Sequence, residues 1–383
     1  MKGLSKTGIS AILLSSSLTI MVGTAIAPSL KEISVNLGFT HNPGWLITLP
    51  ALGVILSAPI MGKLIDRKGP LAIMCWGLVP YGILGIAGIW LRNPLILIAD
   101  RIFLGAATAA VQASGTSLIA TFFKDQSRLK MIAWQGMAIE MGGVIFLSLG
   151  GILGMLDWRY PFLIYLLAFF CLALILTGFP KTKVNPLPSS FFQTAIIPRN
   201  MVFIIAGVTL SMLLFFIVFV GLPQYLPRTF GFTSAQTGYL MAFISLIAVC
   251  SASLMPVVTR HIGTKHTITL GFIFFMTAHI LFAIPAHIGS LVIAAIATGT
   301  GFGFTIPLFN HLTIEESEPH NRGRNLGYYS MGIFGGQFLS SFSGLLAMEL
   351  TTTFSIAAGL ALLIAILIFL NTEKTTPLAN NNF

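Results

Sequence analysis

Twelve long apolar runs constrain this chain more than any other feature of its sequence. A bilayer core about 30 Å thick is crossed by a helix of roughly 20 apolar residues, because each residue adds about 1.5 Å along the helix axis. The chain is therefore predicted to be an all-α membrane protein with twelve transmembrane helices. Along the 383 residues, the predicted spans are Gly8–Ala27, Trp45–Gly62, Leu71–Leu91, Leu95–Phe122, Met131–Met155, Pro161–Phe179, Met201–Leu222, Ala235–Val258, Thr267–Ala286, Ile288–His311, Leu326–Met348 and Thr353–Leu370.

The composition excludes several other classes of protein. Hydrophobic residues make up 55% of the chain and charged residues 8%, whereas a soluble domain carries about 25% charged residues. This excludes a soluble globular protein, a disordered chain and a nucleic-acid binder. The three cysteines, Cys75, Cys171 and Cys250, lie inside apolar runs, without the spacing of a disulfide framework or a metal site. No metal and no other cofactor are expected.

The basic residues predict the orientation in the membrane. With the N-terminus inside, 16 of the 21 Lys and Arg residues fall in predicted cytoplasmic segments and four in outer segments, with Arg101 left within a span. The positive-inside rule then places both termini in the cytoplasm. The N-terminus also resembles a cleaved signal peptide, with Lys2 and Lys6 before an apolar stretch that ends in Ala25-Ile26-Ala27. The repeat described next, however, needs the first span. For a bacterial-type protein, this orientation predicts a multi-pass protein of the inner (cytoplasmic) membrane.

An internal repeat divides the chain into two halves. The predicted domains are an N-terminal six-helix bundle, residues 1–180, a cytoplasmic linker, residues 181–200, and a C-terminal six-helix bundle with a short tail, residues 201–383. A six-helix unit repeated in parallel is typical of transporters that rock two pseudo-symmetric bundles around a midplane site. The matches that show the repeat are Gly38-Phe39-Thr40 with Gly231-Phe232-Thr233 and Gly151 with Gly344, at an offset of 193, and Gly44 with Gly238, Gly69 with Gly263 and Gly105 with Gly299, at an offset of 194.

Three motifs resemble the major facilitator superfamily. Gly62-Lys63-Leu64-Ile65-Asp66-Arg67-Lys68-Gly69 resembles its loop signature, Gly-x-Leu-x-Asp-Arg-x-Gly, and Arg101-Ile102-Phe103-Leu104-Gly105 is similar to its Arg-x-x-x-Gly pattern. The glycine-rich fifth span, followed by Trp158-Arg159-Tyr160, resembles the twelve-helix drug or metabolite:proton antiporters. The resemblance implies the major facilitator fold and proton-driven export. The Gly-Pro pair of the antiporter signature is absent, because Leu149-Gly150 stands in its place.

An intramembrane acid is needed for proton coupling, and the chain offers two. There is no Gly-x-x-x-x-Gly-Lys-[Ser/Thr] loop for a nucleotide, so an ion gradient is the expected energy source. Only Asp100 and Glu140 among the 11 acids lie within predicted spans. Glu140 lies about 14 Å from the inner end of span five, where a charge costs about 3 kcal/mol. We expect Glu140 to carry the coupling proton or to attract a cationic substrate; the alternative is a structural carboxylate bonded between helices.

Arg101 and Asp100 are further candidates for proton coupling. By resemblance, Arg101 is the residue that tunes the proton carrier in antiporters; otherwise it is a packing arginine that reaches toward the interface. Neighbours on a helix point about 100° apart, so Asp100 and Arg101 are not required to pair with each other.

Two further sets of residues complete the predicted machinery. A conformational latch is predicted at Gly62, Asp66, Arg67 and Gly69, where charges at a helix end can bond in one rocking state and separate in the other; the alternative is an ordinary turn. The resemblance implies that spans 1, 4, 7 and 10 line the substrate path, although each candidate there is more often a packing residue. These cavity candidates are Ser17, Met21, Thr24, Thr108, Gln112, Met212, Phe216 and Asn310.

The sequence thus predicts a proton-coupled transporter, not an enzyme, that exports a small amphipathic compound or metabolite by alternating access. Its partners would be the substrate, protons and the lipid bilayer, with no nucleic acid, and a monomer would suffice. The first alternative is a proton symporter that takes up a nutrient or a metal chelate such as a siderophore. An alternative of another class is a membrane sensor or scaffold that does not transport.

Overall fold

The structure is a computed structural model, and it describes residues 4–179, 198–284, 287–318, 322–343 and 349–370. All regular secondary structure in these ranges is helical, which confirms the predicted all-α fold. Short 3₁₀ helices occupy Ala27–Ser29 and Tyr160–Leu166. The α-helices are α1 (Lys6–Thr24), α2 (Leu30–Leu37), α3 (Trp45–Lys68), α4 (Pro70–Ala87), α5 (Pro94–Phe122), α6 (Asp125–Leu156), α7 (Leu167–Gly178), α8 (Arg199–Thr229), α9 (Ser234–Ile262), α10 (Thr264–Ala283), α11 (Ile288–Glu315), α12 (Arg322–Ser340) and α13 (Leu350–Leu370).

The helices correspond to the twelve predicted spans, and the eleventh span is the one that differs from its prediction. Within the described residues, 11 helical segments are long and apolar enough to cross a membrane. The predicted eleventh span corresponds to α12, which begins earlier than predicted and includes Arg324 and Asn325 in its first turn. The last residues of that predicted span, 344–348, lie outside the described ranges.

The repeat seen in the sequence extends to the backbone. Among the described residues, positive φ angles occur at four glycines: Gly38 (70°) and Gly231 (67°), and Gly69 (84°) and Gly263 (83°). A left-handed φ is readily adopted by glycine, which has no Cβ atom. Because the four residues form two of the pairs matched in sequence, the same two turns recur in each half of the chain.

The described residues form two compact units. Of the described residues, those within Met1–Ala195 and Phe219–Ser245 form one unit, and those within Ile196–Val218 and Leu246–Phe383 form the other. The predicted division into bundles 1–180 and 201–383 stays a prediction. Most of the predicted linker, residues 180–197, and the tail, residues 371–383, lie outside the described residues.

Glycine contacts bring α3 and α5 close together in the first unit. A Cβ atom built on Gly53 would lie 2.0 Å from the carbonyl oxygen of Ile102, and one on Gly105 would lie 2.0 Å from that of Pro50. Helix α5 also packs against α4, and α1 packs against α5, α6 and α7. This packing buries the charged residues of α5 within protein.

Candidate functional site

Asp100 and Arg101 form a buried ion pair on α5. The Nη2 atom of Arg101 lies 2.6 Å from Oδ2 of Asp100, and its Nε donates to the same oxygen at 2.9 Å. The side chains are only 1% and 4% exposed. The sequence left open whether these neighbours pair, and in the structure they do, because the long arginine side chain folds back along the helix to reach the carboxylate beside it.

The surroundings of Arg101 direct it toward α4 and the Tyr160–Leu166 segment. Its Nη2 also donates to the carbonyl oxygen of Leu84 on α4 at 3.1 Å. Its Cζ lies 5.9 Å from the ring centroid of Phe162. These hydrogen bonds are made by Nε and Nη2 of the guanidinium group. In the described part of the chain, no hydrogen bond joins Arg101 to Glu140.

Two tyrosines that sequence reasoning did not single out hold α1 in the same region. The hydroxyl of Tyr81 donates to the carbonyl oxygen of Leu18 at 2.6 Å, and that of Tyr165 donates to the oxygen of Val22 at 2.8 Å. The two rings lie 5.9 Å apart between centroids. Because Leu18 and Val22 are one turn apart, the tyrosines fix one stretch of α1 to α4 and to the Tyr160–Leu166 segment.

Glu140 lies in the middle of α6 in a different environment. Its side chain is half-buried, and within the described residues it takes part in no hydrogen bond or ion pair. The glycines that follow it allow close contacts: a Cβ on Gly142 would lie 2.9 Å from Cβ of Ser17, and one on Gly143 would lie 3.6 Å from Oγ of Ser245. Among the described residues, no bond therefore supports the alternative of a carboxylate bonded between helices.

A polar network centred five residues before Glu140 joins α6 to α1 and α5. The side-chain nitrogen Nε2 of Gln135 donates to Oγ of Ser16 at 3.0 Å and lies 3.5 Å from Oγ1 of Thr116. Gln135 is only 6% exposed, so its side chain forms its hydrogen bonds mainly with other protein groups. A glutamine within a predicted apolar span indicates a buried polar contact. The sequence does not identify the partners, because they lie 119 and 19 residues away.

The predicted latch lies at the junction of α3 and α4. Gly69, with a φ of 84°, lies between Lys68, the last residue of α3, and Pro70, the first residue of α4. Arg67 is exposed and has no hydrogen-bond or ion-pair partner in the described ranges, and a Cβ on Gly62 would meet no atom within 4 Å. The turn is thus formed, whereas the bond of Arg67 that a latch requires stays a prediction.

The cavity candidates differ in burial and in whether their polar atoms already form hydrogen bonds within the protein. The hydroxyls of Ser17, Thr24 and Thr108 donate to carbonyl oxygens of their own helices. Met21 and Thr108 are fully buried and Met212 is 6% exposed, whereas Gln112 and Phe216 are half-buried. Oδ1 of Asn310 is buried and, among the described residues, has no hydrogen-bond partner. Asn310 therefore retains an unused acceptor on α11.

Comparison with known sequences identifies the family. The sequence model of the Major Facilitator Superfamily matches residues 12–341 and, separately, residues 205–382. The chain belongs to the major facilitator superfamily. The second match, which covers only the C-terminal half, agrees with the internal repeat.

Among members of the superfamily, the relatives include proteins named for drug resistance. The chain is 25% identical over 311 residues to the tetracycline resistance protein, class B, of Escherichia coli, a match that covers 77% of this chain and 76% of the relative. It is also 25% identical over 173 residues to the quinolone resistance protein NorA of Staphylococcus aureus strain Mu50, with 42% of this chain and 44% of the relative covered.

Solved structures of the superfamily share the fold of this chain. The nucleoside transporter NupG superposes with a TM-score of 0.76 at 14% identity, covering 95% of this chain and 98% of that one. A peptide transporter, POT, in complex with sulfate superposes with a TM-score of 0.77 at 12% identity, covering 94% and 93%. At these identities the similarity shows the major facilitator fold alone, which confirms the predicted twelve-helix architecture.

Proposed function

We propose that this chain is a proton-coupled exporter of a small amphipathic compound or metabolite. The observation that carries the proposal is the contrast between its two intramembrane acids: Asp100 is neutralised by Arg101 at 2.6 Å, whereas Glu140 has no partner among the described residues. An unpaired carboxylate at membrane depth is costly when charged, so it has reason to exchange a proton or bind a cation. Glu140 is the proposed proton carrier.

The relatives support export as the direction of transport. The protein matched over 77% of this chain is a tetracycline resistance protein, and resistance is consistent with removal of a drug from the cell. In this proposal the chain lies in the bacterial inner membrane with both termini in the cytoplasm. It acts as a monomer that exports its substrate by antiport. No chemical change of the substrate is part of the proposal.

Uptake by proton symport is the second candidate. It is favoured by the absence of the Gly-Pro pair in α6, where Leu149-Gly150 stands instead. The similarity of fold to a nucleoside transporter and a peptide transporter is compatible with either direction.

The other predicted residues take supporting roles in this mechanism. The Asp100–Arg101 pair acts on Glu140 through the position of α5, since no direct bond joins the two sites in the described residues. Gly62, Asp66, Arg67 and Gly69 act as the latch at the α3–α4 turn. The cavity candidates on α1, α5, α8 and α11 contact the substrate, with Asn310 offering an unused acceptor.

Substrate accumulation in a transporter-deficient bacterium tests the proposal. Tetracycline, a fluoroquinolone, lipophilic cations and iron chelates are compared in cells with empty vector, wild type, Glu140→Gln and the control Glu349→Gln, with and without an uncoupler. Glu349 is exposed and precedes α13, so its substitution changes one charge away from α6.

Lower accumulation in wild type and in Glu349→Gln, lost in Glu140→Gln and on uncoupling, is the expected result. Higher accumulation with the same sensitivities would identify an uptake symporter and overturn the direction. Gradient-driven transport by Glu140→Gln at the wild-type rate would overturn the role of Glu140 and leave the transporter function standing.

A further inference from the structure

A pocket lies at the end of α4 remote from the α3–α4 turn. It has a volume of about 370 Å³ and falls within the first compact unit. None of the residues predicted for transport lines it. The lining residues are Ile89, Trp90, Arg92, Arg159, Tyr160 and Leu163.

Two arginines converge on one tryptophan beside this pocket. The Cζ atom of Arg92 lies 5.2 Å from the ring centroid of Trp158, and that of Arg159 lies 5.0 Å from it. Each contact is within the range of a cation–π interaction. Two like charges around a single ring repel each other, so the arrangement is stabilised when an anion lies between them.

The acidic groups nearby leave positive charge uncompensated. Arg159 faces Asp157 at 3.8 Å, with the two side chains 53% and 32% exposed. Arg92 donates to the carbonyl oxygen of Asn36, and no carboxylate pairs with it in the part of the chain that the structure describes. Two guanidinium groups therefore line the pocket while one carboxylate lies beside it, which favours an anionic ligand.

The apolar surroundings indicate which anion would bind. Trp90 and Tyr160 are 66% and 43% exposed, as is typical of aromatic residues at a membrane–water interface. Leu95 and Leu163, 76% and 44% exposed, continue the surface with apolar side chains. A free inorganic anion uses only the arginines, whereas a phospholipid uses the arginines, the aromatic rings and the apolar surface together.

We propose that this pocket binds an anionic phospholipid of the adjacent leaflet, with Arg92 and Arg159 donating to the phosphate oxygens. The planar guanidinium group suits a phosphate because it can form two parallel hydrogen bonds. Trp90 and Tyr160 pack at the level of the glycerol, and an acyl chain lies along Leu163. Binding joins the end of α4 to the start of the Tyr160–Leu166 segment.

Thermal unfolding of the purified full-length protein in detergent tests the proposal. Phosphatidylglycerol is compared with phosphatidylcholine of the same acyl chains, using wild type, Arg92→Gln, Arg159→Gln and the double variant. Arg228→Gln is the matched control, because Arg228 is an exposed arginine at the end of α8 that does not line the pocket. Native mass spectrometry counts the bound lipids.

Phosphatidylglycerol is expected to raise the unfolding midpoint of wild type and Arg228→Gln more than phosphatidylcholine does. Each pocket substitution should weaken its binding about tenfold, as for the loss of a charge-assisted hydrogen bond. Equal responses of wild type and the double variant would overturn the proposal. If the double variant does not fold, Arg159→Gln carries the test, because its side chain is 53% exposed.

Inorganic phosphate and glycerol phosphate distinguish a lipid site from a site for a free anion. Neither is expected to displace phosphatidylglycerol at millimolar concentration, because neither has an acyl chain. Displacement by inorganic phosphate, with the same shift of the unfolding midpoint, would overturn the assignment to a lipid.

Discussion

Gly77 and Gly271 make equivalent helix contacts at an offset of 194 residues. A Cβ atom on Gly77 would lie 3.2 Å from the carbonyl oxygen of Ala107, and one on Gly271 would lie 3.3 Å from that of Gly301. Ala107 and Gly301 are separated by the same offset. The repeat thus preserves the close packing of α4 on α5 in one half and of α10 on α11 in the other.

The first prediction contrasts two glycines of α3. Gly53→Ala should lower the free energy of unfolding by about 2 kcal/mol, as expected for overpacking, because the new Cβ would lie 2.0 Å from the oxygen of Ile102. Gly62→Ala should leave the unfolding midpoint unchanged or raise it, because its Cβ meets no atom of the described residues within 4 Å and alanine favours a helix. Thermal unfolding measures both. Equal destabilisation by the two substitutions would contradict the α3–α5 contact.

The second prediction concerns the buried ion pair. Arg101→Ala should destabilise the protein by about 3 kcal/mol, since it leaves the carboxylate of Asp100 buried without its partner. The double variant Asp100→Leu/Arg101→Met should recover much of that loss. A double-mutant cycle of unfolding midpoints, with Asp100→Leu and Arg101→Met as the single variants, checks this. Simple additivity of the single substitutions would show that the two side chains do not interact.

The third prediction concerns the tyrosines that hold α1. Tyr165→Phe removes the hydrogen bond to Val22, and Tyr81→Phe removes the one to Leu18. Each should cost about 1 kcal/mol of stability. Tyr239→Phe is the control, because Tyr239 is 52% exposed. An unchanged unfolding midpoint in both buried variants would argue against these bonds.

The fourth prediction concerns the close approach of α6 and α9 in the first unit. A Cβ on Gly238 would lie 2.5 Å from the oxygen of Leu147 and 3.0 Å from Cα of Gly151. Gly238→Ala should therefore disfavour this conformation, and a penalty of about 1.4 kcal/mol lowers its population about tenfold. Transport should slow while the protein remains folded. Gly136→Ala is the matched control, because a Cβ on Gly136 contacts no atom within 4 Å in the part of the chain that the structure describes. Its transport rate should stay at the wild-type value.

The spans could be predicted because a bilayer imposes a length on each helix, and α3, α5 and α8 contain the runs expected of them. The pairing of Asp100 with Arg101 could not be predicted. The side chains of neighbouring helical residues point in different directions, so the contact depends on the conformation of the flexible arginine side chain. The bond between Gln135 and Ser16 depends on the packing of α6 against α1. The meeting of Arg92 and Arg159 at Trp158 likewise depends on the approach of two segments distant in sequence.

The ion pair of α5 has a consequence for the biogenesis of the protein. Because Asp100 and Arg101 are adjacent in sequence, they can neutralise each other as soon as α5 becomes helical, before the Tyr160–Leu166 segment has been synthesised. Two separate charges at membrane depth would each oppose entry from the translocon into lipid by about 3 kcal/mol. A helix that contains its own counter-ion enters as a nearly neutral segment. The second half has alanines, Ala294 and Ala295, at the corresponding positions, so α11 meets no such barrier during synthesis.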